Sequence, residues 1–394
     1  MSHGTGQMHD KTLRVGFLML GGTQWLGGYN YLRNLCGALI RYRSGIEPVL
    51  FVPEDTEAAL LEPFSEMGAD VVATPLLGAG RKPLLFAQAL LLGRITRLEE
   101  LFAQQRIDAL FENSVYFGWR ARLPVVTWLP DFQHRHLPRM FSPLAWLKRE
   151  FGFRVVTAST RRVMLSSEDA KADCRRFYGV PEERISVVSF AVEPPPIEPE
   201  YFEACLQRYQ ITPPYLYLPN QLWRHKNHTV VIEALHRLQV EGVVTPPVIC
   251  SGSTRDHRNI AYFDEVEELI ESCGVSPTFR MIGMVPYKDV IHLMAGACAV
   301  VNPSFFEGWS TTVEEAKALC IPLLLSDIPV HREQVKDHAR FFDPSSPKAL
   351  AEVLQSLHCG TSPSLVEDAD NSERVQTYAR EFAGMIRSLA EAAS

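Results

Sequence analysis

The sequence predicts an α/β protein with two Rossmann-like domains, each built on a doubly wound parallel sheet. Short runs of apolar and β-branched residues alternate with helical patterns, and such alternation is typical of parallel sheets covered by helices on both faces. The alternation stops at the proline-rich run EPPPIEP (193–199), which can form neither a helix nor a central strand, and then begins again. With 394 residues, the chain is long enough for two hydrophobic cores.

The proline-rich run sets the predicted domain boundaries. We expect a first domain at residues 1–192, a stiff linker at 193–200 and a second domain at 201–372. Residues 373–394 carry a final amphipathic helix, because apolar positions recur there at helical spacing.

Composition excludes several classes of protein. A hydrophobic fraction of 46% and a charged fraction of 22% are ordinary for a soluble globular chain, and a net charge of −7 argues against nucleic acid as the main partner. The eight cysteines show no CxxC and no paired histidine spacing, so we expect reduced thiols and neither a disulfide framework nor a zinc site. The N-terminus lacks the apolar core of a signal peptide, and the apolar run Leu84–Leu92 is too short to span a bilayer. We therefore expect a cytoplasmic protein.

The first domain is expected to begin with a strand, a glycine-rich turn and a helix. GGTQWLGG (21–28) follows the strand, and the arrangement often serves a phosphate group. The glycine spacing does not match GxGxxG, so a dinucleotide fingerprint is disfavoured, and a long flexible turn is the alternative. Helical patterns follow near 57–67, 84–105 and 168–178. The strands of this domain are predicted at Leu13–Leu20, Pro48–Val52, Asp70–Thr74, Asp108–Phe111, Pro124–Trp128, Val163–Ser166 and Ser186–Phe190.

A polar cluster, DFQHRH (131–136), comes directly after the strand VVTWLP. Ligands bind at the carboxyl ends of strands in open α/β sheets, so the cluster favours a functional site over scattered surface residues. The following segment, Arg135–Phe153, mixes basic and aromatic residues. It suits contact with an anionic lipid surface or a cover over a substrate groove, and an ordinary helix packed on the domain is an equal alternative.

The second domain places three cationic or basic residues, Arg224, His225 and Lys226, between a strand end and a helix start. Cations at this location add to the amides of the helix start, so a diphosphate partner is favoured over a charged loop without a ligand. The strands of this domain are predicted at Tyr215–Leu218, Val248–Ser251, Phe279–Ile282, Ala299–Asn302 and Leu323–Ser326.

The most informative stretch is AVVNPSFFEGWSTTVEEAKALCIPLLLSD (299–327), which predicts a strand, a loop, a helix and a second strand. The helix start is suited to a phosphate, and Gly308 lets a ligand approach the backbone. Glu307 and Glu315 could accept hydrogen bonds from hydroxyl groups on either side of that phosphate, as a sugar and a ribose would provide. The alternative is a capping box, formed by Thr311 with Glu314 or by Thr312 with Glu315.

The two glutamates separated by seven residues, followed by Ala316 and IPLLLSDIPVHREQV (321–335), resemble the retaining nucleotide-sugar glycosyltransferases of family 4. The resemblance implies the GT-B fold, in which two Rossmann-like domains face each other across a cleft. The first domain would hold the acceptor and the second the sugar nucleotide, with the final helix crossing back to the first domain. WxPDFQH and EGWSTTVEEAK resemble in particular the members that assemble lipopolysaccharide and other bacterial surface polysaccharides.

The resemblance also implies roles for residues of the second domain. Lys226 and a second cation would hold the leaving diphosphate; the usual arginine position falls on Asn220, and Arg224 is the candidate substitute. Glu307 would bind the donor sugar and Glu315 the ribose. Main-chain atoms of Gly283, Met284 and Val285 would read the base, and the donor would also contact Gly308, Trp309, Ser310, Thr311 and Thr312.

In the first domain, the resemblance places the glycine-rich turn near the chemistry. Gly27 and Gly28 would approach the donor diphosphate, and Trp25 would lie on the acceptor side. His134 would contact the donor sugar or support the transition state. Asp131 and Gln133 would face the acceptor.

The expected activity is therefore retaining transfer of a hexosyl unit, with mannose from GDP-mannose as the first donor hypothesis. The acceptor would be a glycan or a lipid-linked glycan, reached in the cytoplasm or at the inner face of the cell membrane. No Asp-x-Asp motif or clustered ligand set appears, so we expect no metal and no other cofactor. The alternatives are a sugar-nucleotide epimerase of the same fold and a non-catalytic scaffold that binds a glycan or a protein partner.

Overall fold

A computed structural model describes residues 12–19, 26–78, 80–113, 115–254, 259, 261–336, 338–357 and 369–392. Two parallel sheets organise these residues, and helices cover the faces of both. The predicted fold class is therefore confirmed. Each strand predicted above is present, with shifts of a few residues at its ends.

The first sheet has seven parallel strands in the order β3-β2-β1-β4-β5-β6-β7. The order reverses direction between β1 and β4, and such a switch point opens a crevice at the carboxyl ends of the strands. The strands are β1 Leu13–Leu18, β2 Ile46–Pro53, β3 Asp70–Thr74, β4 Ala109–Glu112, β5 Val125–Trp128, β6 Arg162–Leu165 and β7 Ile185–Val187.

Seven helices connect these strands: α1 Leu26–Arg41, α2 Ala58–Glu66, α3 Lys82–Leu92, α4 Thr96–Gln104, α5 Gln133–His136, α6 Pro143–Ser159 and α7 Glu168–Tyr178. The helical pattern predicted near 84–105 is two helices, because Gly93 takes a left-handed conformation with φ of +75° and ends α3.

The second sheet repeats this topology with six parallel strands in the order β10-β9-β8-β11-β12-β13. Its switch point lies between β8 and β11, which pair directly through Leu216 with Ala299 and Tyr217 with Val300. The strands are β8 Leu216–Leu218, β9 Val248–Cys250, β10 Phe279–Met281, β11 Ala299–Asn302, β12 Leu323–Ser326 and β13 Arg340–Phe342.

The helices of the second half are α8 Pro199–Tyr209, α9 His228–Val240, α10 Tyr262–Cys273, α11 Tyr287–Ala295, α12 Thr311–Ala318, α13 Pro329–Val335, α14 Pro347–Gln355 and α15 Ala369–Glu391. Residues 191–198 have no regular secondary structure, and α8 begins at Pro199. Within the ranges that the structure describes, no helix has the length and apolarity needed to cross a bilayer.

The last helix, α15, belongs to the core of the first sheet although it follows the second sheet in the chain. Tyr378 and Phe382 are buried against the aromatic residues of that core, and the Phe382 ring lies 6.0 Å from the Phe17 ring. The chain therefore crosses between the two sheets twice, at the linker and before α15.

A buried carboxylate fixes α11 to α8. Asp289 is fully buried and accepts hydrogen bonds from the hydroxyls of Tyr201 and Tyr209, each at 2.5 Å, and from Arg208 at 2.6 Å. Burial by itself raises the pKa of Asp289, but these three partners outweigh it and hold the pKa below its usual value. Because α11 begins at Tyr287, the cluster also fixes the position of that tyrosine.

Candidate functional site

The loops that follow β8 and β11 lie side by side, because the two strands are neighbours and parallel at the switch point. The first loop carries the cationic residues and the second carries Glu307. The Nζ atom of Lys226 lies 2.6 Å from Oε1 of Glu307, so two groups 81 positions apart in the sequence form one ion pair. This pair is the centre of the candidate site.

Glu307 is held as a carboxylate. Its side chain is only 9% exposed, and the Ser304 hydroxyl donates to Oε1 at 2.6 Å. Burial alone would raise its pKa, but the positive charge of Lys226 outweighs burial and lowers the pKa to about 2, with His225 and His331 acting in the same direction. Glu307 is therefore an anionic acceptor for hydroxyl groups throughout the physiological pH range.

A buried polar network supports the loop from below. Asn302 at the end of β11 donates to the Ser310 hydroxyl at 2.9 Å and accepts from the Ser304 hydroxyl at 2.7 Å. Asn220, after β8, donates to Asn302 at 3.3 Å and accepts from Thr312 at 3.5 Å. Asn220 therefore stabilises the loop through buried hydrogen bonds. The sequence analysis did not identify Asn302 or Ser304, whose only signal is their position at a strand end.

Arg224 and Lys226 have different partners, although both lie in the cationic loop. It donates to both carboxylate oxygens of Glu265 on α10, at 2.7 and 2.5 Å, and its guanidinium lies 4.9 Å from the centre of the Tyr262 ring. Its side chain is still 40% exposed and lines a cavity of about 350 Å³ with His225 and with residues 139–142 of the first domain. Of the two candidates for a second phosphate contact, Arg224 is accessible and Asn220 is buried.

The capping-box alternative is wrong. The N-cap of α12 is Ser310, whose hydroxyl accepts from the Val313 amide at 3.4 Å. Glu314 pairs instead with Lys317 at 2.9 Å and with Arg374 of α15 at 3.1 Å. The N-cap lies one residue before the Thr311 box and two residues before the Thr312 box, so neither Glu314 nor Glu315 has a capping role.

Glu315 is a buried residue of α12. It is 5% exposed, and burial raises its pKa to about 7, while the hydroxyl of Tyr287 and the positive charge of Arg33 act in the opposite direction. The two predicted donor ligands therefore differ in ionisation. At neutral pH Glu307 is fully charged, whereas Glu315 is partly protonated.

Gly308 and Trp309 bind the loop to the first domain. A Cβ atom added at Gly308 would lie 2.0 Å from the Pro130 carbonyl oxygen, and the Gly308 carbonyl accepts from the Ser167 hydroxyl at 3.1 Å. The indole of Trp309 donates to the Phe190 carbonyl at 2.9 Å. Both residues thus hold the two domains together at the site, which the local sequence could not reveal.

His134 does not face the cleft. Its side chain is completely buried, and Nε2 lies 3.2 Å from Glu150 and 3.0 Å from the Tyr178 hydroxyl. The Phe153 ring packs edge-on against the His134 ring, with 5.1 Å between the ring centroids. Burial lowers the pKa of His134. Residues of α6 cover the ring in this structure, and the expected contact of His134 with a donor sugar stays a prediction.

His136 occupies the interface instead. Its ring stacks on Phe306 of the second domain with a centroid distance of 5.0 Å, and Nε2 lies 2.5 Å from Asp173. The hydrogen bond to Asp173 raises the pKa of His136. The sequence offered HRH as a cluster, but it gave no basis for choosing the second histidine over the first.

The other predicted residues of the first domain are placed as follows. Asp131 is partly exposed, and Oδ1 accepts from Arg149 at 2.6 Å and from the Gln133 amide at 2.9 Å. The Gln133 side chain is buried. Gly27 and Gly28 lie in the first turn of α1, where Gly27 is exposed with open space around its Cα. Trp25 lies outside the described residues.

The segment predicted to read a base follows β10. Gly283 has φ of +72°, and its carbonyl accepts from the Gly252 amide at 2.9 Å. Met284 is 70% exposed and Val285 is half-buried. Across the described ranges, no three histidine, cysteine, aspartate or glutamate side chains cluster as a metal site.

Comparison with known protein families gives two matches. The model of glycosyl transferases group 1 matches residues 208–381. The model of glycosyltransferase family 4 matches residues 26–194. The first match contains all strands of the second sheet, and the second match contains the strands of the first sheet except β1. The glutamate loop and the cationic loop lie in the first matched range, and the DFQHRH cluster lies in the second.

The O-antigen chain mannosyltransferase B of Escherichia coli is 27% identical over 203 residues, which are 50% of this chain and 52% of that protein. The match thus spans about half the length of this relative. A glycosyltransferase from Rickettsia africae shares the fold with a TM-score of 0.67 and 16% identity, over 97% of this chain and 98% of that chain. HepE from Anabaena, in complex with UDP and glucose, has a TM-score of 0.63 and 16% identity, over 96% and 98% of the respective chains.

Substitution of Gly308 should loosen the contact between the two domains. The Cβ atom of Gly308→Ala cannot fit against the Pro130 carbonyl, so we expect a loss of local stability on the order of 1–3 kcal/mol. Hydrogen exchange at the start of α7 and in the loop should become about tenfold faster or more. Gly152→Ala on α6, where a Cβ meets nothing within 4 Å, is the matched control. Equal exchange rates in both variants would contradict the role of Gly308 in holding the loop against the first domain.

Proposed function

Because the chain belongs to the group 1 and family 4 glycosyltransferases, we propose that it transfers a hexosyl unit from a nucleoside-diphosphate sugar to a hydroxyl group with retention of configuration. The observation that carries this proposal is the Lys226–Glu307 ion pair of 2.6 Å beside the start of α12. It combines a cation suited to a phosphate with an anionic acceptor suited to sugar hydroxyls, at the carboxyl end of two parallel strands.

Lys226 has the central role in the proposed reaction. The bond between the anomeric carbon and the diphosphate oxygen breaks, and negative charge develops on the leaving diphosphate. Lys226, together with the amides at the start of α12, would stabilise that charge. The acceptor oxygen forms the new bond on the same face of the sugar, and its proton passes to the departing phosphate oxygen.

The two glutamates would hold opposite ends of the donor. Glu307 would accept hydrogen bonds from the sugar hydroxyls, since its charge is maintained by Lys226. Glu315 would accept from the ribose hydroxyls. Arg224 lines the neighbouring cavity and would bind the diphosphate there. To do so, it would give up part of its ion pair with Glu265. With these cations available, we propose that transfer needs no metal ion.

We also propose an identity for the donor sugar and for the acceptor. Similarity to an O-antigen chain mannosyltransferase over half the chain supports mannose from GDP-mannose as the donor and a surface glycan, free or lipid-linked, as the acceptor. The acceptor would enter between Asp131 and residues 139–142 of the first domain, which border the cavity next to Arg224. His134 would support this part of the first domain through its packing and would not touch the acceptor, because its side chain is completely buried.

A lipid-linked acceptor requires access to a membrane surface, and α6 offers one. Leu144, Leu147 and Phe151 are 76%, 58% and 49% exposed and fall on one face of this helix. Lys148 is exposed beside them. Apolar side chains flanked by a cation are typical of a helix that lies on an anionic lipid surface, so we propose that α6 makes a peripheral membrane contact.

A panel of sugar nucleotides tests the donor. A ligand present at about one hundred times its Kd should stabilise the protein by about 2.7 kcal/mol, so GDP-mannose should raise the melting temperature more than UDP-hexoses do. Transfer to an acceptor should then proceed in the presence of a chelator. Conversion of the donor to its epimer without an acceptor would favour the epimerase alternative. Absence of any stabilisation across the panel would favour the scaffold.

Substitution of Lys226 tests the chemistry. Lys226→Met should lower kcat by about a hundredfold or more, because the interaction is stronger in the transition state than in the ground state. Lys348→Met, an exposed lysine of α14, is the control and should keep the parent rate. An increase in KM with an unchanged kcat would make Lys226 a docking contact only.

Vesicle binding tests the contact with lipid. A Leu147→Glu variant should lose most of its co-sedimentation with anionic vesicles, because it places a carboxylate on the apolar face of α6. Val244→Glu changes an equally apolar residue of the second domain that is 97% exposed, and this variant should sediment like the parent. Equal binding by both variants would remove α6 from the membrane contact.

A further inference from the structure

The cavity of about 350 Å³ between the two domains is lined by cations from both. Arg139 borders it from the first domain, and Arg224 borders it from the second domain together with His225. The other described residues that line it are uncharged: Met140, Phe141, Ser142 and Asn259. No acidic residue is among the described lining residues, although the chain has 46 acidic residues and only 39 lysines and arginines. The cavity therefore concentrates positive charge on a protein of net negative charge.

Arg139 is available to a ligand in this cavity. Its side chain is exposed, and within the described ranges its guanidinium has neither a hydrogen-bond partner nor an ion-pair partner. Two other arginines of the same region are paired. Arg149 binds Asp131 at 2.6 Å, and Arg135 binds Glu150. The charge of Arg139 is therefore the one in this region that no described carboxylate neutralises.

The start of α6 adds to the positive potential of the cavity. Ser142 lines the cavity and is the N-cap of α6, which has no acidic residue in its first turn. The amides at the start of a helix carry a partial positive charge, and here no side-chain carboxylate offsets it within that turn. The indole of Trp146 donates to the His134 carbonyl at 2.8 Å, which holds this end of α6 against the segment that leads to Arg139.

Arg224 forms the opposite wall of the cavity. Its Nη2 atom donates to both carboxylate oxygens of Glu265, at 2.7 and 2.5 Å, and the Tyr262 ring lies 4.9 Å from its guanidinium carbon. These contacts orient the guanidinium, while 40% of the side chain is exposed. An anion in the cavity would therefore meet one arginine from each domain.

We propose that this cavity is a phosphate-binding site shared by the two domains, in which Arg139 and Arg224 bind one phosphate group from opposite walls. A guanidinium binds phosphate oxygens through two parallel hydrogen bonds. A phosphate is tetrahedral and can offer oxygens to both walls, whereas a carboxylate has its two oxygens in one plane and suits a single arginine. The cavity therefore favours a phosphate over a carboxylate.

The phosphate can come from either substrate. One source is the diphosphate of the sugar nucleotide, and this source rests on the proposed function, in which Arg224 binds that group. The first domain would then add a third cation, Arg139, to Lys226 and Arg224 around the leaving group. The other source is a phosphate carried by the acceptor. In both cases the site is complete only when the two domains lie together, so phosphate binding favours that arrangement.

Calorimetric titration with inorganic pyrophosphate at constant ionic strength tests the site. The parent should bind pyrophosphate, and Arg139→Gln should bind it about tenfold more weakly, because a charge-assisted hydrogen-bond pair is lost. Arg139→Lys keeps the charge but loses the paired donors, so its affinity should lie between the two. Arg97→Gln removes an exposed arginine of α4 that does not line the cavity, and this control should match the parent.

Equal affinity of Arg139→Gln and the parent would overturn the inference, as would an equal loss in Arg139→Gln and Arg97→Gln. A parent that does not bind pyrophosphate would overturn it as well. Melting temperatures of the variants should match that of the parent, since both arginines are exposed.

Titration in the presence of saturating GDP-mannose identifies the source of the phosphate. If the donor diphosphate occupies the cavity, GDP-mannose should prevent pyrophosphate binding, and Arg139→Gln should also weaken GDP-mannose binding. If the phosphate belongs to the acceptor, pyrophosphate should still bind beside GDP-mannose and should still depend on Arg139. A parent that binds pyrophosphate through Arg139 but binds no sugar nucleotide would contradict the proposed function and would support the phosphate site.

Discussion

The parallel pairing of β8 with β11 is the constraint on which the site depends. It brings the cationic loop after one strand against the glutamate loop after the other, so that Lys226 and Glu307 meet at 2.6 Å. Taking either charge into this buried position alone would be costly, and each partner makes the other tolerable. Asn220, Asn302 and Ser304 then support the pair with a network of hydrogen bonds, in which Ser304 donates to the Glu307 carboxylate.

The same stretch of chain carries two buried glutamates with opposite ionisation behaviour. Glu307 sits next to Lys226, and that charge overcomes burial and lowers its pKa to about 2. For Glu315, burial prevails over the lowering effects of the Tyr287 hydroxyl and the Arg33 charge, and its pKa is about 7. The difference arises from the neighbours alone, since both residues are glutamates with similar exposure. It gives the site one permanent anion and one that responds to its surroundings.

The glutamate loop belongs to the second domain but is fixed by both. Its own domain holds it through buried side-chain amides and hydroxyls, and the first domain holds it through Ser167, Pro130 and Phe190. A further contact joins the domains nearby, where Glu333 of α13 accepts from the amides of Glu168 and Asp169 at the start of α7. A carboxylate at a helix start is favourable, so the arrangement stabilises the contact between the two domains. This contact and the geometry of the site are therefore coupled.

The sequence by itself determined the two parallel sheets and most of their strands. These features follow from local periodicity and from the short, right-handed connections of parallel strands, which leave few topologies to choose from. That Lys226 and Glu307 serve one site was implied by the family resemblance, and the pairing of β8 with β11 decided their 2.6 Å contact. Only the tertiary structure decided which side chains reach the cleft. His134 is buried because α6 folds over it, Trp309 bonds to a carbonyl more than a hundred positions away, and the Pro130 carbonyl of the other domain packs against Gly308. Burial and charge at these positions depend on contacts between distant segments, and no local pattern records them.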